Sequence, residues 1–285
     1  MSQDPRLVLD GLVFPEGPRW FEGRLWFSDM HAHEVVAVTA DGERETIVEV
    51  PNQPSGLGFL PDGRLLIVSM TDRKLLRLDP DGLYEVADIS DKAPYHCNDM
   101  VVDAAGNAYL GNFGFDLTDG SAPRATTIVK VTTDGESSIV ADGIQFPNGT
   151  VITPDGGTLI VGESWGQRLT AFDIESDGSL SNQRVWADLA KNGVGPPDGI
   201  CLDADGAIWV AVPTNPGALA RVAEGGEVLE RIEVPDMGVY ACMLDGEERK
   251  TLFSLEAPTS NPQPDDPRRG RIRAFDVEVG GAGLP

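Results

Sequence analysis

The chain is poor in cysteine, histidine and positive charge, and no long apolar run occurs in it. Among 285 residues there are three cysteines, Cys97, Cys201 and Cys242. They are too few and too scattered for a disulfide framework or a zinc knuckle. Buried small apolar side chains are the expected reading, with Cys97, beside Asn98, a weak candidate nucleophile. Lys and Arg number 22 against 46 Asp and Glu, a net charge of −24. Such a surface repels nucleic acid and anionic lipid, so neither is expected as a partner. The excess acid reads first as a solvating surface and second as an attraction of cations toward an acidic mouth. No stretch approaches the roughly 18–20 apolar residues of a membrane span. The start, Met1-Ser-Gln-Asp-Pro, lacks an apolar signal segment, and a cytoplasmic location is the default expectation.

What the chain does have is a repeat. Six stretches resemble one another, opening at Glu16-Gly-Pro-Arg-Trp, Ser55-Gly-Leu-Gly-Phe, Asn98-Asp-Met-Val-Val, Asn148-Gly-Thr-Val-Ile, Asp198-Gly-Ile-Cys-Leu and Tyr240-Ala-Cys-Met-Leu. Their first residues are 39 to 50 positions apart. After each comes a turn, usually with Asp-Gly or a near variant, and then an apolar strand such as Arg64-Leu-Leu-Ile-Val. Short strands at this period are the signature of a β-propeller. The 33 glycines and 21 prolines suit a turn-rich globular β protein. An all-β, six-bladed β-propeller of four-stranded antiparallel blades is expected, as a single domain over 1–285.

The sixth repeat lacks a fourth strand, whereas residues 6–12 precede the first repeat without a partner. The N-terminal strand is therefore expected to close the last blade and remove an open edge. This topology separates two faces. The Asp-Gly turns fall on the bottom and are structural. The first residue of each repeat and the longer loops, 111–126 and 254–270 among them, fall on top together with His31, His33 and His96. Long loops beside a concave site tend to be lids or specificity elements.

Glu16, Asn98, Asn148 and Asp198 should then converge on the axis. Two carboxylates and two amide oxygens form a hard-oxygen set suited to Ca²⁺, Mg²⁺ or Mn²⁺, and a mixed carboxylate site also takes Zn²⁺ or Fe²⁺. The bland alternative is that Asn or Asp before Gly merely forms a turn. It weakens because Glu16, Asn148 and Asp198 hold equivalent repeat positions, each before a glycine, and Glu is a poor turn residue. Two uncompensated carboxylates near a narrow axis also repel, and a bound cation removes that cost.

The stretches Phe14-Pro-Glu-Gly-Pro-Arg-Trp, His96-Cys-Asn-Asp-Met-Val-Val-Asp, Phe146-Pro-Asn-Gly and Pro197-Asp-Gly-Ile stand in the order found in the SMP-30/gluconolactonase/LRE-like family of calcium-dependent hydrolases, which the chain resembles over about residues 10–278. The resemblance implies one divalent ion, Ca²⁺ first, held by Glu16, Asn148 and Asp198. It implies that Asn98 contacts the ligand or a metal-bound water, and that Asp198 doubles as general base. Sugar-lactone hydrolases of animal type tend to carry Arg where this chain has His96, so an Arg fork for sugar hydroxyls is missing. His96 is then either a substrate contact or plain wall; Trp165 and Phe113 are further candidates for lining the pocket, and His31 and His33 read as loop residues.

The expected activity is metal-dependent opening of a lactone, a gluconolactonase-like hydrolysis in which water adds to a polarised carbonyl. No serine nucleophile is expected. Two alternatives remain: a related hydrolase of organophosphates or aryl esters, and a non-enzymatic interaction propeller of WD or NHL type, against which stands the absence of a Trp-Asp signature. The expected partner is a small lactone or ester, and the protein itself a monomer or small homo-oligomer.

Overall fold

The computed structural model describes residues 5–282. Twenty-four strands form six separate four-stranded sheets, each antiparallel throughout. Five sheets use four consecutive strands; the sixth has the order Arg6–Leu12, Gly270–Asp276, Thr251–Ala257, Gly238–Asp245. The N-terminal strand thus closes the last blade, with Arg6 opposite Ala274 and Leu12 opposite Gly270. The expected fold and its closure are both met. First-blade strands expected near 17–21, 24–28, 34–39 and 44–50 are found at Pro15–Phe21, Arg24–Asp29, Glu34–Thr39 and Arg44–Glu49. Helix is confined to two short 3₁₀ turns, and no helix among the described residues is long and apolar enough to cross a membrane.

The sequence reading left the stretch after the last strand as a loose end. In the structure it crosses beneath the fifth blade, where Ala204 N donates to Gly280 O at 2.8 Å and Ala282 N to Leu202 O at 2.9 Å.

The blades are held together by apolar contact between neighbours. Each of the six blade–blade boundaries has its own buried cluster. The one between the last and first blades takes Val8 and Leu12 from the N-terminal strand and packs them with Phe27, Phe253 and Leu255. The outermost strands are the most exposed of each blade, as in Arg44–Glu49, where no side chain is fully buried. Asp residues organise the bottom turns. Asp103 accepts from Ala105 N at 2.9 Å and Asn107 N at 2.8 Å, and Asp203 accepts from Asp205 N and Ala207 N at 2.9 Å each.

Candidate metal centre and its surroundings

The innermost strands are Pro15–Phe21, Pro54–Phe59, Cys97–Val102, Pro147–Ile152, Ile200–Leu202 and Gly238–Asp245. The first residue of five repeats lies near the top of one of them, and that of the fifth repeat just ahead of its strand. Five of these strands break register with their neighbour at that point: between Glu16 and Arg19, Pro54 and Leu57, Cys97 and Met100, Pro147 and Thr150, Val239 and Ala241. In the fifth blade Asp198 and Gly199 precede the strand. A bulge re-aims a side chain out of the sheet: Ser55, Asn98, Asn148 and Tyr240 have no ladder partner, whereas Glu16 stays opposite Ser28 at the edge of its bulge. They are not hairpin turns, and the turn-former alternative fails.

The glycines that follow have a different cause. A Cβ on Gly17 would stand 2.6 Å from Ser55 O, and one on Gly149 would stand 2.4 Å from Ile200 N and 2.7 Å from Asp198 O. Each glycine lets the innermost strand of one blade touch the backbone of the next. Gly149 N donates to Asp198 O at 3.2 Å and Gly199 N to Tyr240 O at 2.8 Å, which sets the spacing of the ring.

Glu16, Asn98 and Asn148 are buried, and Asp198 is partly exposed. Asn148 and Asp198 sit on adjacent blades, joined through Gly149 N, which donates to Asp198 O at 3.2 Å. Burial, then the Asp198 charge, pushes the Glu16 carboxyl well above the usual carboxylate range. Burial likewise raises Asp198 to about 8, with the Asn148 amide opposing and the Asp99 charge adding. The structure therefore brings Glu16, Asn148 and Asp198 within electrostatic reach of one another. Asn98 lies one blade away, its Nδ2 donating to Pro147 O at 3.2 Å, which leaves its Oδ1 free of a protein donor among the described residues.

Two buried carboxylates anchor this ring from behind. Asp29, opposite Pro15 in the register, accepts from Phe14 N at 2.7 Å and Val13 N at 3.1 Å. Glu163, opposite Pro147, accepts from Gln145 N at 2.7 Å and is paired with Arg168 at 2.7 Å. Each pins the chain just ahead of a ring residue, Glu16 or Asn148. The sequence reading missed both, and missed Asp99. Asp99 is buried and faces Arg19, also buried, at 3.0 Å. Arg19 Nη2 also donates to Met100 O and Nη1 to Pro18 O. Asp99 thus has a counter-ion, whereas of the groups acting on Glu16 and Asp198 only Arg19, the last to act on Glu16, is a cation.

Gly162-Glu-Ser-Trp-Gly166 has the letters of a serine-nucleophile elbow, so the expectation of no serine nucleophile cannot rest on the motif being absent from the sequence. Its context is wrong. Strand Thr158–Glu163 leads through a turn into strand Arg168–Ile174, not into a helix. Ser164 Oγ donates to Pro197 O at 2.7 Å and accepts from Asn148 Nδ2 at 3.2 Å. Ser164 therefore positions Asn148, and no histidine bonds to it among the described residues.

The residues expected to line the pocket lie above the ring. His96 stacks on Tyr95 at 4.1 Å, and Phe113 stacks on Phe146 at 4.6 Å. Trp165 is 52% exposed, with its ring 6.1 Å from Phe115. His31, expected as a plain loop residue, bridges two loops through Gln53 Nε2 at 3.2 Å and Ser260 O at 3.3 Å. His33 lies on the surface against Pro51 O. Cys97, Cys201 and Cys242 are buried free thiols, as expected. Burial pushes Cys97 up to about 12, so it has no nucleophilic character at neutral pH.

Among the described residues no three His, Cys, Asp or Glu side chains form a metal-holding cluster. A cation at the ring therefore has to draw on amide oxygens as well as on two carboxylates. Glu16 and Asp198, without counter-ions beside Asn148, meet that requirement for a hard divalent ion.

A six-bladed propeller with an acidic, amide-lined ring at the top of its axis is the class that fold and site define. The SMP-30/Gluconolactonase/LRE-like region is matched over residues 14–257, and the chain belongs to that family. It is similar to the pentonolactonase XacC of Haloferax volcanii, 27% identical over 88% of this chain and 84% of that one. It is also similar to the diisopropyl-fluorophosphatase of Loligo vulgaris, 27% identical over 72% of this chain and 71% of that one. Among solved structures, the calcium-binding protein regucalcin of Agrobacterium tumefaciens superposes with a TM-score of 0.82, covering 99% of this chain and 96% of that chain at 23% identity.

Proposed function

We propose that the protein is a divalent-metal-dependent hydrolase that opens the ring of a lactone. The observation that carries this reading is the pair of acids, Glu16 and Asp198, that share an axial ring without a counter-ion of their own while Asp99 has Arg19. Glu16, Asn148 and Asp198 would hold the ion, with Ca²⁺ the first expectation and Zn²⁺, Mn²⁺, Mg²⁺ or Fe²⁺ alternatives. When bound, the ion supplies Lewis-acid polarisation of the ester carbonyl and charge stabilisation of the developing oxyanion. Asn98 contacts the substrate through its free amide oxygen. Asp198 takes a proton from the attacking water, whose oxygen joins the carbonyl carbon, and returns it to the ring oxygen as the acyl–oxygen bond breaks. Lactonase activity in a relative of 27% identity supports the reaction class. The fluorophosphatase relative favours one second reading, hydrolysis of a phosphoryl or aryl ester at the same ring.

Asp198→Asn tests the assignment, because it keeps an oxygen donor and removes the proton acceptor. Metal content, measured by elemental analysis after dialysis, should survive in weakened form. Turnover should fall by roughly 10²–10⁴-fold. A metal-loaded Asp198→Asn protein that hydrolyses lactone at the wild-type rate would place the base elsewhere. Wild-type protein that retains no stoichiometric metal would instead favour the interaction-propeller alternative.

A further inference from the structure

The residue two positions ahead of each ring residue lies one step nearer the top rim. Those six positions are Phe14, Gln53, His96, Phe146, Pro196 and Gly238, and none is formally charged at neutral pH. Beside them an apolar cluster backs part of the circle. Phe14, Met30, Met70 and Tyr240 form one buried cluster, with Phe113 packed against it. Phe14 meets Tyr240 edge-on at 4.6 Å, and Phe113 continues the arc onto Phe146. Trp165 stands at its end with half its surface in solvent. The arc adjoins the ring directly, since Tyr240 is itself the ring residue of the sixth blade and its carbonyl accepts from Gly199 N, beside Asp198, at 2.8 Å.

Three polar side chains near this rim are already engaged. Gln53 is bonded to His31, and His31 to Ser260 O. Arg19 turns its guanidinium to Asp99 and to backbone carbonyls. His96 and Trp165 have hydrogen-bonding atoms and no hydrogen-bond partner among the described residues. A sugar lactone brings several hydroxyls, and each one pressed against such a surface loses water without gaining a partner. An alkyl or aryl body loses nothing there and gains stacking and burial. Resting on the hydrolase reading above, we infer that the substrate is a lactone or ester with an alkyl or aryl body, and not a polyhydroxylated sugar lactone.

The experiment is a kcat/KM comparison on the metal-loaded protein with dihydrocoumarin, γ-nonalactone and δ-gluconolactone, in wild type and in Trp165→Ala. The two apolar lactones should exceed gluconolactone by at least about tenfold, the scale of discrimination by an apolar pocket. Trp165→Ala should raise KM for dihydrocoumarin about three- to tenfold with kcat little changed, and leave the melting temperature at the wild-type value. Equal or better hydrolysis of gluconolactone overturns the inference and leaves the hydrolase reading standing. An unchanged KM for dihydrocoumarin in Trp165→Ala removes the aromatic arc as its cause and also overturns it. No turnover of any of the three fails the hydrolase reading, and the inference with it.

Discussion

Replacing Gly149 by alanine should damage both stability and the ring. The added Cβ would sit 2.4 Å from Ile200 N and 2.7 Å from Asp198 O. Ordinary contact begins near 3.4 Å, so the innermost strands of the fourth and fifth blades must part by roughly 1 Å. The obstacle is backbone on both sides, and no side chain can rotate out of the way. Overpacking of this kind costs about 1–3 kcal/mol. At about 2–4 °C per kcal/mol for a chain of nearly this size, the melting temperature should drop by roughly 2–12 °C. The displaced atoms belong to Asp198 and to the neighbour of Asn148, so activity should suffer beyond any loss of folded protein. A shift of about 1 Å at a reacting centre can cost about 10²-fold. Gly157→Ala is the control. There the nearest atom to a Cβ is the Asp155 carboxylate at 3.4 Å, with no positive φ, and the change should stay within about 0.5 kcal/mol. The assay is differential scanning fluorimetry beside lactone hydrolysis at 25 °C. If Gly149→Ala melts and turns over like wild type, the close approach of the blades is wrong.

Deleting residues 1–12 removes the outer strand of the sixth blade together with Val8 and Leu12, which are 8% and 0% exposed. We propose that the ring unfolds as one unit, so thermal melting should fall for the whole molecule, by several degrees on the burial of those two side chains alone at about 1.5–3 kcal/mol each; an unchanged melting temperature and a monodisperse product would count against this. In metal-free protein, stability should decline as pH rises. Glu16 and Asp198 have folded pKa values above their unfolded ones, Asp198 at about 8, so between about pH 4 and about 8 the folded state holds the extra protons. Their contribution is therefore fully present in acid and is lost across that window. Urea midpoints from pH 5 to 8 in EDTA should fall, and saturating Ca²⁺ should flatten the trend; identical slopes with and without Ca²⁺ would refute it.

The repeat made the fold legible because a propeller writes the same strand pattern six times, and the unpartnered segment 6–12 together with the missing fourth strand of the sixth repeat stated how the ring closes. The ring residues were legible for the same reason, as equivalent positions of equivalent strands. The cause of the glycines was not. Sequence alone does not separate a glycine needed for a turn from one needed where two backbones touch, and Gly149 is the second kind. Asp29 and Glu163 were within reach, since aligning the second strands places an acid opposite the residue before Glu16 and before Asn148. The Arg19–Asp99 pair was not, because its partners are 80 residues apart and only the curvature of the ring makes them meet. The rim lay in between: His96 and Phe146 share a repeat position, but the joining of Phe113 to the Phe14 and Tyr240 cluster depends on how loops of different length fold inward.

The charges on the axis separate a structural ring from a working one. A ring whose task is only to seat six strands gains nothing from buried acids, and where an acid occurs it is best neutralised. Asp99 meets that condition. Arg19 pairs with it at 3.0 Å, and Met100 N donates to it at 2.8 Å. Glu16 accepts from Gly17 N and Asp198 has the Asn148 amide; neither has a salt bridge among the described residues. The two acids raise one another's cost of ionisation in a place where water is largely excluded. The same blade positions filled by Ser55 and Tyr240 show that the fold accepts uncharged side chains there. Retaining acid in the first and fifth blades, on either side of Tyr240, while Asp99 is countered by Arg19 leaves a net negative charge on that side of the axis. That asymmetry supports the proposed cation-dependent hydrolase over a scaffold.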